Sequence, residues 1–181
     1  GPSDIDVVVV DDHPVFRIGL SALLDEMDGV RVVAQAASQD EAVEVVLAHR
    51  PRVVIMDLDL GGGSGTEATR EILRRAPEIG VLVVTMFGDD DGLFAAVKAG
   101  ARGYLVKGAG PDEVERAVRE VAAGGAVLGP QDAQRALGFL TSARSARGGE
   151  FGELTDREHD VLELLARGHD NATIARMLVL T

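Results

Sequence analysis

The chain has 181 residues, enough for one domain and part of a second. Apolar residues make up 46 %, there is no Cys or Trp and only one Tyr, so a disulfide framework and a thiolate metal site are excluded and the core must be aliphatic. The net charge of −12 rules out a basic nucleic-acid-binding footprint in the chain as it stands, and no apolar run approaches membrane-spanning length, so a cytoplasmic protein with no membrane association is expected. The opening Gly1-Pro2-Ser3 reads as the remnant of a removed tag.

The first strand is predicted at residues 6–10 and runs into the acid pair Asp11-Asp12. A helical pattern follows at 15–26, then a strand at 31–36 and a helix at 39–49. The third strand, 53–56, ends at Asp57. The glycine-rich run Gly61-Gly62-Gly63-Ser64-Gly65 leads to a helix at 66–75 and is expected to be a loop that orders when metal or a phosphoryl group binds. The fourth strand, 81–84, ends at the hydroxyl of Thr85, and a helix follows at 92–98. The fifth, 103–106, ends at Lys107, and the last helix of the series, 111–123, starts with Pro111 and two acids. Alternating strands and helices imply an α/β fold, a doubly wound five-stranded parallel sheet with helices on both faces.

Beyond residue 124 the pattern changes. One helix is predicted from 130 to about 143, then a small, polar, glycine-rich linker from 142 to 149. Thr155 and Glu158 form a capping box ahead of an apolar helical face, Gly168 closes that helix, and a short second helix spans 171–178. The division is 1–124, 125–150 and 151–181. Residues 1–124 carry 12 basic and 22 acidic groups, a net of −10, against 6 and 8, a net of −2, for the remainder.

In a parallel α/β sheet the C-terminal strand ends converge on one edge. Asp11, Asp12 and Asp57 would therefore lie close together, and a hard divalent cation held through oxygens would relieve their repulsion. Mg²⁺ suits, since it retains waters and also holds phosphate oxygens. Asp57 is then the candidate nucleophile for phosphorus, Lys107 a point-charge partner for the phosphoryl group, and Thr85 a hydrogen-bond donor to one of its oxygens. Each residue alone has an ordinary reading as a cap, turn or surface group. Four types suited to one reaction at four strand ends do not. His13 and His159 carry no partner pattern and read as surface or helix residues. Leu93, Phe94, Val97 and Ala101 offer either core or an apolar patch.

This constellation resembles the receiver domain of two-component response regulators, a flavodoxin-like fold, over residues 5–124. The resemblance implies Asp57 as phospho-acceptor from a sensor histidine kinase, Asp12 as direct Mg²⁺ ligand, and Asp11 as a ligand through water. It gives Asp59 a backbone-carbonyl contact with the metal, Thr85 and Tyr104 the roles of switch pair, and Lys107 that of phosphate contact. The run Ala101-Arg102-Gly103-Tyr104-Leu105-Val106-Lys107 fits the NarL/FixJ subfamily. Leu154-Thr155-Asp156-Arg157-Glu158, Val161 to Gly168 and Asn171-Ala172-Thr173-Ile174-Ala175 resemble the first half of that subfamily's LuxR-type helix-turn-helix. Its recognition helix would begin beyond Thr181, so a truncated DNA-binding domain is expected, with no DNA-reading residue before that point. The implied protein is a transcription regulator that dimerises on phosphorylation and binds promoter DNA when complete; it is not an enzyme beyond its own phosphorylation and dephosphorylation.

Two departures stand out. Gly61 occupies the place where the family usually has proline, and Met86 follows Thr85 where a smaller residue would leave Asp57 more open. The competing reading is a haloacid-dehalogenase-type phosphatase or phosphotransferase using Asp57-Leu58-Asp59, but its motif belongs on a first strand and has Thr or Val where Gly61 stands.

Overall fold

Continuous aliphatic runs dictate the centre of the molecule. The strands are β1 (Ile5–Val10), β2 (Val30–Ala36), β3 (Val53–Met56), β4 (Asp59–Leu60), β5 (Gly63–Ser64), β6 (Gly80–Thr85) and β7 (Gly103–Val106). The helices are α1 (Pro14–Asp25), α2 (Gln39–His49), α3 (Gly65–Arg75), α4 (Asp90–Ala99) and α5 (Pro111–Ala122). This is a computed structural model that describes residues 4–86, 89–128, 134, 135 and 138; the helix, linker and helix-turn-helix expected beyond residue 128 otherwise lie outside the described residues.

The main sheet is five-stranded and parallel, in the order β2-β1-β3-β6-β7. Strand alternation divides its residues between two cores. Val8, Val10, Val54, Met56, Val81, Val83 and Tyr104 face Ala42 and Val46 of α2, Ala68 and Ile72 of α3, and Leu93 and Val97 of α4. Val7, Val9, Val53, Ile55, Leu82, Val84 and Leu105 face Leu20 and Leu24 of α1 and Val114, Val118 and Val121 of α5. Burial on both faces explains why the strands read as unbroken apolar runs. Leu93, Val97 and Ala101 are core, and Phe94 packs against it, so the patch alternative for these residues is not realised.

The expected ends hold to within two residues. α4 starts two residues earlier than predicted because Asp89 caps it, its side chain accepting from the Gly92 amide at 2.8 Å. The glycine-rich run forms an antiparallel hairpin of β4 and β5. Gly61 sits at its turn with φ +67°, left-handed backbone that proline cannot adopt. That is the physical reason for the first departure from the family pattern.

After α5 the chain doubles back. Val127 makes a parallel bridge with Gly103, donating to the Arg102 carbonyl at 2.8 Å and accepting from the Tyr104 amide at 3.0 Å.

Candidate functional site

The strand order reverses direction between β1 and β3, and ligands in open α/β sheets bind where that happens. The ladder holds both strand ends rigid: the Asp57 amide donates to Val10 O and the Asp11 amide to Ala36 O, each at 3.0 Å. Asp11 and Asp57 are 2 % and 3 % exposed, so two carboxylates lie side by side almost out of water. Lys107, at the end of β7, reaches between them. Its Nζ lies 2.8 Å from Asp11 Oδ2 and 3.0 Å from Asp57 Oδ2. The ammonium also lies over the ring of Phe16, with Nζ 4.6 Å from the ring centroid. The Lys107 amide donates to Thr85 O at 2.8 Å, which ties the hydroxyl-bearing end of β6 to the lysine.

The structure thus brings Asp11, Asp12, Asp57 and Lys107 together, with Thr85 buried on the neighbouring strand end. Tyr104 is on the adjacent strand but points to the opposite side of Leu105, into the core under α4. Its ring is 2 % exposed and its hydroxyl lies close to Gly92. Asp59 stands at the start of the hairpin with its side chain exposed; its amide donates to Asp57 Oδ1 at 3.3 Å and its Oδ1 accepts from the Gly61 amide at 3.2 Å. Met86 is 57 % exposed.

Two residues that sequence reasoning left out belong here. Phe16 buttresses the lysine. His13 caps the start of α1, and its Nδ1 sits inside the carboxylate cluster, 3.0 Å from Asp11 Oδ1, 3.1 Å from Asp12 Oδ1 and 3.8 Å from Asp57 Oδ2. The one available signal was its position directly after the acid pair at a strand end.

Burial raises the Asp57 carboxyl above its ordinary value of 3.8, with Asp11 adding to the rise; the hydrogen bond and charge of Lys107 oppose it without winning. Lys107 is also raised. Burial alone would lower it, but its hydrogen bonds to Asp11 and Asp57 outweigh that. Because folded Asp57 binds its proton more tightly than the unfolded chain does, the stability it contributes is complete below pH 3.8 and is lost as pH rises through the folded value. In chelator, Asp57→Asn is therefore expected to melt higher than the wild type at neutral pH, with the gap closing towards acid. A gap independent of pH, in melts followed by circular dichroism, would contradict this.

The residues fit a hard divalent cation. Asp12 Oδ1 is a buried oxygen with no hydrogen-bond partner, although His13 Nδ1 lies near it, and it shares a cluster with the hard carboxylate oxygens of Asp11 and Asp57 and the imidazole of His13.

Comparison with known proteins agrees with this geometry. Residues 7–119 match the response regulator receiver domain. The chain is 36 % identical over 177 residues to the response regulator GacA of Pseudomonas aeruginosa, covering 98 % of this chain and 82 % of that one. It is 38 % identical over 176 residues to the DNA-binding transcriptional activator DevR/DosR of Mycobacterium tuberculosis, covering 97 % and 81 %. Among solved structures, a LuxR-family two-component response regulator from Aurantimonas superposes with a TM-score of 0.69 at 36 % identity, covering 74 % of this chain and 96 % of that one. The phosphatase alternative finds no favour among these relatives. The flavodoxin-like sheet, the acid cluster at its switch point and these matches together make the chain a member of the response regulator family, of NarL/FixJ type.

Proposed function

We propose that Asp57 is the phospho-acceptor of this response regulator and that a sensor histidine kinase is the donor. The observation that carries the reading is the Lys107 Nζ held 3.0 Å from Asp57 Oδ2 at the sheet's switch point. Asp57 Oδ2 attacks the phosphorus of a phosphorylated imidazole, the P–N bond breaks as the P–O bond forms, and the imidazole nitrogen takes up a proton. Lys107 follows the charge onto the phosphoryl group, and the Thr85 hydroxyl hydrogen-bonds one of its oxygens. Asp12 and Asp57 directly, Asp11 through water and the Asp59 carbonyl would hold Mg²⁺, which when bound would neutralise the charge gathered on carboxylate and phosphoryl oxygens. Val15 (87 % exposed) and Val106 (44 %) line a groove beside Lys107 and offer apolar contact to the kinase.

Tyr104 is the second half of the switch, buried under α4 on β7, the strand that ends at Lys107. Its rearrangement with Thr85 is read out as dimerisation and, through residues 151–181 and the helices that complete that domain, as binding to promoter DNA. The receiver is taken as 1–124 and the linker as 125–150. Among the described residues no helix is long and apolar enough to cross a membrane, which supports a cytoplasmic location.

The test is incubation with Mg²⁺ and acetyl phosphate, wild type beside Asp57→Asn, with intact mass and oligomeric state read together. A phosphoryl adduct on the wild type alone, with a shift towards dimer, is expected. An equal adduct on Asp57→Asn overturns the assignment of the acceptor.

A further inference from the structure

We propose that His13 is a nitrogen ligand of the cation site and turns its preference from Mg²⁺ towards a first-row transition-metal ion such as Mn²⁺. This rests on the reading of Asp12 and Asp57 as metal ligands. With metal–ligand bonds of roughly 2.1 Å, neighbouring ligands of an octahedral ion lie roughly 3.0 Å apart. His13 Nδ1 is 3.1 Å from Asp12 Oδ1, the spacing of neighbouring vertices around one ion, and 3.0 Å from Asp11 Oδ1. Asp57 Oδ2 stands 3.8 Å away and closes the group.

The hydrogen-bond inventory points the same way. Lys107 has three donors, and three acceptors surround it: Asp11 Oδ2 at 2.8 Å, Asp57 Oδ2 at 3.0 Å and His13 Nδ1 at 3.3 Å. In the tautomer whose Nδ1 accepts from the lysine, a nitrogen lone pair faces two carboxylate oxygens at close range. Asp12 Oδ1 is then left with no donor at all. A cation that takes the Nδ1 lone pair in place of the lysine also meets the orphan Asp12 Oδ1, while Lys107 keeps Asp11 Oδ2 and Asp57 Oδ2. The ring is free to present its nitrogen, since its side chain is 58 % exposed, and its place is set by the backbone: the His13 amide donates to Asp11 Oδ1 at 2.8 Å. Carboxylate oxygens suit Mg²⁺ and Mn²⁺ alike. An imidazole nitrogen adds affinity for every first-row transition-metal ion, least for Mn²⁺ and more for the later ones, and gives Mg²⁺ little.

The experiment is calorimetric titration of the full chain with MgCl₂ and with MnCl₂, for wild type, His13→Ala, His13→Asn and Asp12→Asn, each checked for folding by circular dichroism. Electron spin-echo spectra of bound Mn²⁺ accompany it. His13→Ala is expected to weaken Mn²⁺ about tenfold and Mg²⁺ less than about twofold. Nitrogen modulation in the Mn²⁺ spectrum is expected in the wild type and absent from both His13 variants. Unchanged metal preference in His13→Ala, or no nitrogen modulation in the wild type, overturns the inference while leaving the oxygen site intact. Tighter binding of both metals by His13→Ala also overturns it, and makes the imidazole a resident counter-charge. Failure of the wild type to bind either metal, or full binding by Asp12→Asn, sinks the reading of the site itself.

Discussion

Gly65→Ala is expected to cost about 3 kcal/mol of stability, and to loosen the acceptor strand with it. α3 begins at Gly65, directly beneath the end of β3, and the Gly65 amide donates to Leu58 O at 2.9 Å. A methyl group built on Gly65 falls inside the van der Waals sphere of the Asp57 carbonyl oxygen. It also lies 2.8 Å from the Asp57 carbonyl carbon and 2.9 Å from Leu58 Cα. All three are backbone atoms, so no rotamer change relieves the clash, and either the helix or Asp57 must move. Gly62→Ala is the matched control. Nothing lies within 4 Å of a methyl there, so its effect should stay within about 0.5 kcal/mol. Urea unfolding gives both values. Divalent-cation titration then shows whether the Gly65 variant has displaced Asp57, and a Gly65→Ala protein as stable as Gly62→Ala would show that the close approach is relieved elsewhere.

Lys107→Met should destabilise the metal-free protein by about 3 kcal/mol at neutral pH, and divalent cation should restore much of the loss. Methionine keeps an unbranched apolar side chain but gives up the ammonium's two ion pairs and its place over the Phe16 ring. Lys107 is 6 % exposed and serves two buried carboxylates. Without it, Asp11 and Asp57 face each other unopposed, and the rise in the Asp57 carboxyl that burial already produces must grow. The double variant Asp57→Asn/Lys107→Met removes one of the two stranded charges and should recover part of the stability, a coupling that a double-mutant cycle measures directly. Phosphorylation from acetyl phosphate should slow about 100-fold, because the transferred group loses a fixed positive charge. A Lys107→Met protein that melts like the wild type in chelator would mean that the two carboxylates are relieved by another group.

The sheet and the acid cluster were legible in the sequence for one reason. β1, β3 and β6 are buried on both faces, so each announces itself as an aliphatic run, and the residue that breaks each run stands at the edge where ligands bind. Asp11, Asp57 and Thr85 were found that way, and Lys107 by its place at the end of the fifth predicted strand. What escaped depends on backbone approach in three dimensions. His13 looks like a helix-start residue, and only the turn between β1 and α1 folds its ring back over Asp11 and Asp12. The hairpin of β4 and β5 pairs two residues with two, too few to leave a periodic trace. Gly61 read as a missing proline, whereas its left-handed φ is what the turn demands. The crowding at Gly65 belongs to a contact between helix start and strand end that no spacing reveals.

Val127 has a bearing on how copies of the molecule can meet. An edge strand exposes unpaired amides and carbonyls and invites a foreign strand to extend the sheet. At β7 that invitation is withdrawn around Gly103, because the chain's own return segment occupies the Arg102 carbonyl and the Tyr104 amide. At the far edge, β2 is interrupted by a register shift opposite Val7 and Val8, and the Asp25 carboxylate takes the Val32 amide at 2.9 Å. Both margins of the sheet are therefore blunted along these stretches, which disfavours its extension by a foreign strand.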